Sequence, residues 1–189
     1  MGRSVQPRPA RLALWLATIA VAFITVAPSA DSTPPACPGA NDTPTPATLD
    51  EAEDSVLCLV NRERDRRGKR PLSKSAALSS AAAAHSRDMV ARRYFDHTSP
   101  GGRDVVDRVR AAHWAFGHSA WRLGENIAWG AGEYATPRRI VARWMGSSGH
   151  RGNILDGGFR EAGAGVAAGA PQRTRGRGAT YTMDFGTRG

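Results

Sequence analysis

Cysteine is nearly absent from this chain: Cys37 and Cys58 are the only two among 189 residues. They lie far apart with no histidine close to either, which argues against a cysteine-based metal site. A disulfide is the simplest state for two cysteines in an oxidising compartment. It would pin a linker to the first helix and add on the order of 3 kcal/mol of stability. Charge is missing altogether from Leu12 to Ala27. No twin-arginine pair precedes that run, and Pro34-Pro35-Ala36 ahead of Cys37 lacks the leucine of a lipobox. Neither twin-arginine export nor lipidation is therefore expected. There is no internal repeat, and no heptad or exposed apolar stripe asks for a partner, so a monomer is expected.

The uncharged run itself sits in a recognisable frame. Arg3, Arg8 and Arg11 lead into it, and Ala27-Pro28-Ser29-Ala30 ends it with the small residues a signal peptidase accepts. This is the layout of a secretory signal peptide over residues 1–30. The rival is a retained anchor, but the run falls short of the roughly 20 apolar residues a span needs. Residues 31–47, rich in proline and small polar residues, read as a linker. One folded domain over 48–189 suits the remaining length. The protein is thus expected to be secreted, free or held at the cell wall. Cleavage at Ala30 lowers the formal charge from +9 to +6, because the leader carries three arginines and no acid. A basic surface favours anionic envelope polymers, acidic lipid headgroups or nucleic acid. Scattered basic side chains also simply keep a protein soluble, and there is no specific nucleic-acid motif.

Within the domain, Thr48 or Asp50 can cap a helix on which Val56, Leu57, Val60 and the stem of Arg64 recur at helical spacing until Gly68. A second helix is expected from Pro71-Leu72-Ser73 to about Arg93, with Leu78, Ala82, His85 and Met89 on one face. Tyr94 and Phe95 are expected in the core. A short helix follows from Asp104 to about His113, then loop and irregular strand over 124–132. Thr136-Pro137 caps the helix bearing Ile140, Val141 and Trp144, and Ser148-Gly149-His150 reads as a turn. Strands are expected over 161–168 and 179–185, joined by a loop carrying Arg173, Arg175 and Arg177. Helices first and strands late argue for an α+β fold with an antiparallel sheet.

Of the five histidines, His85 sits mid-helix and reads as packing, and His113 and His118 read as surface residues. His97 and His150 lie in turn-rich strings, with Glu125 between them in sequence. Two imidazoles and a carboxylate suffice for a divalent metal with an open position, and equally for general acid–base work. The local strings say more. Phe95-Asp96-His97-Thr98-Ser99-Pro100-Gly101-Gly102, Gly124-Glu125-Asn126-Ile127-Ala128 and Trp144 followed by Ser148-Gly149-His150-Arg151-Gly152-Asn153-Ile154-Leu155 occur in that order. With Leu57 to Arg64 and Tyr181 to Gly186, they resemble the CAP superfamily of cysteine-rich secretory, antigen-five and plant pathogenesis-related proteins. The likeness is to its secreted bacterial branch, and it extends over nearly everything after the linker.

That resemblance implies an α/β/α sandwich, helices flanking a small antiparallel sheet, with a central cleft. It assigns to the cleft His97 and His150 as the pair that can hold zinc or another divalent cation, and Glu125 as one of two acidic residues. The second acidic position falls on Ser147, which supplies no negative charge and weakens a metal-hydrolase reading. Asn126 and Arg151 are further candidates to line the cleft, although short polar side chains beside glycines usually satisfy turn backbones. Trp114, Trp121 and Trp129 are candidates for its wall. The expected function is an extracellular binding module taking a divalent metal, a small lipid or a partner segment. The alternative is a metal-assisted hydrolase with His97 and His150 as ligands and Glu125 as general base.

Overall fold

The structure is a computed structural model and describes residues 36–189. The expected signal peptide lies outside the described residues. Helix α1 (Leu49–Asp65) has Asp50 and Glu51 in its first turn and Arg62 and Arg64 in its last, a charge order that complements the helix dipole. Its buried face carries Val56 and Val60, and Arg64 is fully buried as well. The Arg64 guanidinium donates to the carbonyls of Arg70, Ile154 and Asp156. An exposed-looking arginine thereby becomes a buried clamp.

The second helix begins later than its sequence suggests. The Ser73 and Ser75 N–H groups donate to the carbonyls of Arg160 and Ala162, so Ser73–Lys74 forms a short strand, β1. Helix α2 (Ala76–Arg92) then starts from Ser75, whose side chain accepts from the Leu78 N–H. It stops at Arg93, which adopts a left-handed conformation with φ 56°. Consequently Tyr94 and Phe95 leave the packed layer. Phe95 is 41% exposed, and Tyr94 is half-buried with its hydroxyl tied to Asp88 and Ser99. Neither is the core aromatic expected.

Helix α3 (Val105–Ala111) opens with a reciprocal capping box between Asp104 and Asp107. The expected irregular stretch over 124–132 is instead part of a long strand, β2 (Trp121–Ala131). A 3-10 turn (Gly132–Ala135) leads to α4 (Pro137–Gly146), capped by Thr136. The expected turn at Ser148 is a helix, α5 (Ser148–Leu155), whose glycines hide its periodicity. Strands β3 (Glu161–Ala168) and β4 (Gly178–Arg188) close the chain.

The sheet order is β1-β3-β4-β2, with β4 antiparallel to both β2 and β3 and with β1 parallel to β3. The sheet is therefore mixed rather than wholly antiparallel. More than half of the described residues run between β1 and β3, and a crossover of that length permits parallel pairing where a hairpin does not. One face, with Ala162, Ala164, Val166, Tyr181, Met183 and Phe185, joins α1, α4 and α5 in the main core. The other face receives α2 at close range. A Cβ on Gly163 would lie 2.0 Å from the Ser79 nitrogen, and one on Gly165 1.9 Å from that of Ala83. Only glycine lets that helix backbone lie on the strand. The described part of the proline-rich stretch joins the main core through Cys37 and Ala40, and Cys37 is disulfide-bonded to Cys58.

Candidate functional site

Strand β2 lies at the end of the sheet, so its outer edge has no strand partner among the described residues. Side chains take its carbonyls instead. Asn153 donates to Glu125 O, Trp144 Nε1 to Ile127 O at 3.1 Å, and Arg143 Nη1 to Trp129 O at 2.8 Å. Helices α4 and α5 are thus stitched onto the edge, which also protects it from pairing with other chains. Asn126 takes part in the same stitching. It is fully buried, donates to His150 O and accepts from Asn153. Its side chain positions His150 through the backbone. Arg151 is exposed and donates to Met145 O.

Glu125 projects to the α2/α3 face. His97, on the loop after α2, meets Glu125 Oε1 through Nδ1 at 2.7 Å. Arg108 of α3 donates from Nη2 to Glu125 Oε2 at 2.6 Å and also to His97 O. The Glu125 and Arg108 side chains are only 3% and 4% exposed, whereas that of His97 is 54% exposed. Burial opposes the charge on Glu125, but the His97 bond and the Arg108 guanidinium outweigh it and hold its pKa below the ordinary range. His97 is raised, chiefly by its bond to Glu125 and against its own burial. Opposite Glu125 in the β2–β4 register stands Asp184. It is wholly buried, with the Glu125 carboxylate as its neighbour. Burial, and then the charge on Glu125, push its pKa far up.

His150 stands in the first turn of α5 at the mouth of a cavity of about 190 Å³. Phe95, Ile127, Ala128 and Trp144 wall the cavity, and Arg143, Ser147 and His150 complete its lining. Burial lowers the His150 pKa, helped by the positive charges of His97 and Arg143. Ser147 links α4 to α5 in extended conformation, and its hydroxyl makes no capping bond. His97 and His150 therefore feel each other's charge, but His97 is engaged by Glu125 while His150 faces the cavity. His85 is buried behind this cluster, with Nε2 3.0 Å from Asp96 O and within reach of the charges of Glu125 and Arg108, and His118 Nδ1 lies 2.7 Å from Gly189 O. Trp114 is buried with Nε1 bonded to Glu161, away from the cavity.

Arg108, Arg143 and Asp184 belong to this neighbourhood, and the sequence does not single them out. Arg108 and Arg143 are ordinary helical arginines by pattern. Asp184, an acid inside the apolar string Tyr181-Thr182-Met183-Asp184-Phe185, carries the one sequence signal that could have exposed it.

A divalent cation fits these residues poorly. Both Glu125 oxygens are engaged, Ser147 brings no charge, and Arg143 adds a positive one. Among the described residues no group of three or more His, Cys, Asp or Glu side chains is placed to hold a metal. Open catalytic zinc sites ordinarily use three protein ligands.

Comparison with known proteins agrees with the architecture. The chain is 40% identical over 123 residues to an uncharacterised protein, YkwD, of Bacillus subtilis (strain 168), an alignment covering 65% of this chain and 45% of that protein. It thus spans less than half the length of that relative. An extracellular SCP-domain protein of Bacillus anthracis str. Ames superposes with TM-score 0.55 at 27% identity, covering 75% of this chain and 43% of that one. An outer surface protein of Borrelia burgdorferi shares the fold with TM-score 0.54 at 17% identity, over 71% of this chain and 90% of that one. The CAP family description, the cysteine-rich secretory protein family, matches residues 57–185. With the sandwich, the His97–Glu125 contact and that match over most of its length, the chain belongs to the CAP, or cysteine-rich secretory protein, family.

Proposed function

We propose that this protein is an extracellular binding module, with its ligand seat at the His150 cavity along the edge of β2, beside the His97–Glu125–Arg108 cluster. The observation that carries this reading is the double engagement of Glu125, one oxygen by His97 and the other by Arg108. A general base needs a lone pair within reach of a substrate proton, and here both oxygens face protein donors. That weighs against the hydrolase alternative. The disulfide supports an oxidising compartment, and the extracellular SCP-domain relative supports export.

The apolar walls of the cavity suit a partner segment or small ligand that offers one compact apolar group better than a lipid with an extended chain. The exposed loop with Arg173, Arg175 and Arg177 supplies a second contact, electrostatic, with anionic envelope polymers. The test is a turnover panel of nucleic acid, peptide, ester and peptidoglycan substrates, run with zinc and with calcium. No product should accumulate with any substrate, while the purified protein shows saturable ligand-induced shifts at Trp144 and His150. Turnover that is lost in Glu125→Gln would overturn the binding-module reading.

A further inference from the structure

We propose that the cleft beside the free edge of β2 binds a small organic carboxylate bearing one apolar group, in place of the divalent cation that the family likeness implies. This rests on the binding-module reading above. Charge is the first ground. The cavity is lined by Arg143, Ser147 and His150 and by no acidic side chain. Ser147 occupies the position where the likeness expects a second carboxylate. Of the nearby acids, Glu125 is neutralised by Arg108 and His97, and Asp96 turns one oxygen to the Thr98 N–H. Arg143 is the one permanently charged side chain in that lining. A cation entering here meets repulsion, whereas an anion meets attraction.

Preorganisation is the second ground. Arg143 is fixed at the rim by its Nη1 bond to Trp129 O. A guanidinium has five N–H donors in a planar fork, so others remain to receive a carboxylate edge-on. The imidazole of His150 adds a ring N–H, and the Ser147 hydroxyl a rotatable donor. The third ground is shape. A cavity of about 190 Å³ walled by Phe95, Ile127, Ala128 and Trp144 is smaller than the usual small-molecule site of roughly 300–1,000 Å³. It takes one side-chain-sized apolar group and not an extended acyl chain. The same walls penalise a second charge on the ligand, which favours a monoanionic carboxylate over a phosphate dianion.

Such a carboxylate can be a free acid or the C-terminus of a peptide, and the titration separates them. The full mature chain is titrated by NMR with phenylacetate, phenylacetamide, N-acetyl-Ala-Phe with a free carboxylate, and the same dipeptide as its amide. Each acid should bind at least tenfold more tightly than its amide, with shifts centred on the Trp144 indole. Tighter binding of the dipeptide acid identifies a peptide C-terminus as the source, and tighter binding of phenylacetate a free acid. Arg143→Gln should lose the acid preference tenfold or more while the protein remains folded. Ser147→Glu, which places a negative charge in the lining, should lose it too.

Acids and amides that behave alike, whether both bind or neither does, overturn the proposal. So does an acid preference that survives Arg143→Gln, or zinc taken up one-to-one by the unmodified protein in preference to either acid. Equal binding of acid and amide at Trp144 removes only the carboxylate assignment. Hydrolysis of the dipeptide amide in the same sample would instead remove the binding-module reading.

Discussion

Asp184 and Glu125 face each other across β4 and β2, two carboxyl groups on one buried face of the sheet. Arg108 and His97 hydrogen-bond Glu125 and not Asp184, so Asp184 is the member that keeps its proton. A buried acid whose folded pKa is raised binds a proton that the unfolded chain has released. The stability it contributes is full below the unfolded value and is lost as pH rises towards the folded one. Replacing it by Asp184→Asn removes that dependence while keeping shape. From about pH 4 upwards the variant should gain on the unmodified protein, by at most about 1.4 kcal/mol per pH unit. Urea unfolding at a series of pH values measures this, and parallel curves for the two proteins would mean that Asp184 is ionised in the fold.

The Glu125–Arg108 pair invites a double-mutant cycle. Both side chains are almost fully buried, and removing one partner leaves the other charge uncompensated. Glu125→Leu or Arg108→Met alone should therefore cost about 3 kcal/mol or more. Arg108→Met combined with Glu125→Leu should be milder than the sum of the two single changes, because no orphan charge remains. His97→Ala, which removes a half-exposed partner, should cost far less. An additive cycle by chemical denaturation would contradict the coupling described here.

How much of this is legible in the sequence depends on whether a feature is local. The faces of α1 and α2, the Thr136-Pro137 start of α4 and the two late strands follow from periodicity and capping. So does the convergence of His97 with Glu125, but only through the ordered strings of the family likeness, since spacing alone leaves them unconnected. What stays hidden is decided by partners far along the chain. Ser73 is held in a strand by Arg160, against the helical reading of its neighbourhood. Arg143 becomes part of the cavity lining through the edge carbonyl of Trp129. Phe95 reads as a core residue because an aromatic after an apolar helix usually is one. The left-handed stop at Arg93 sends it to the cleft instead.

The disulfide supports a prediction about the N-terminal approach to the domain. Cys37 and Cys58 are separated by 21 residues, and closing such a loop in the unfolded chain contributes about 3 kcal/mol. The Cys37→Ala, Cys58→Ala double variant should lose about that much in urea. Amides between residues 37 and 48 should exchange faster, while those in β3 and β4 keep their order of protection. An unchanged unfolding midpoint would show that burial of Cys37 and Ala40, not the cross-link, holds this segment.

Envelope attachment can be tested at the loop between β3 and β4. Arg173, Arg175 and Arg177 are exposed, and the loop is tied to the 3-10 turn by the Gly132 N–H on Arg177 O at 2.9 Å. That bond uses backbone atoms, so replacing all three side chains with glutamine leaves it intact. Surface changes of this kind usually move stability by no more than about 0.5 kcal/mol. Attraction between exposed charges and an anionic polymer, by contrast, decays over a Debye length that shrinks to roughly 3 Å at 1 M salt. The unmodified protein should sediment with isolated wall fragments at low ionic strength and be released by 1 M NaCl. The triple glutamine variant should come off at distinctly lower salt with an unchanged Tm. Equal retention of both proteins through 1 M NaCl would mean that whatever holds the protein at the envelope is not this loop's charge.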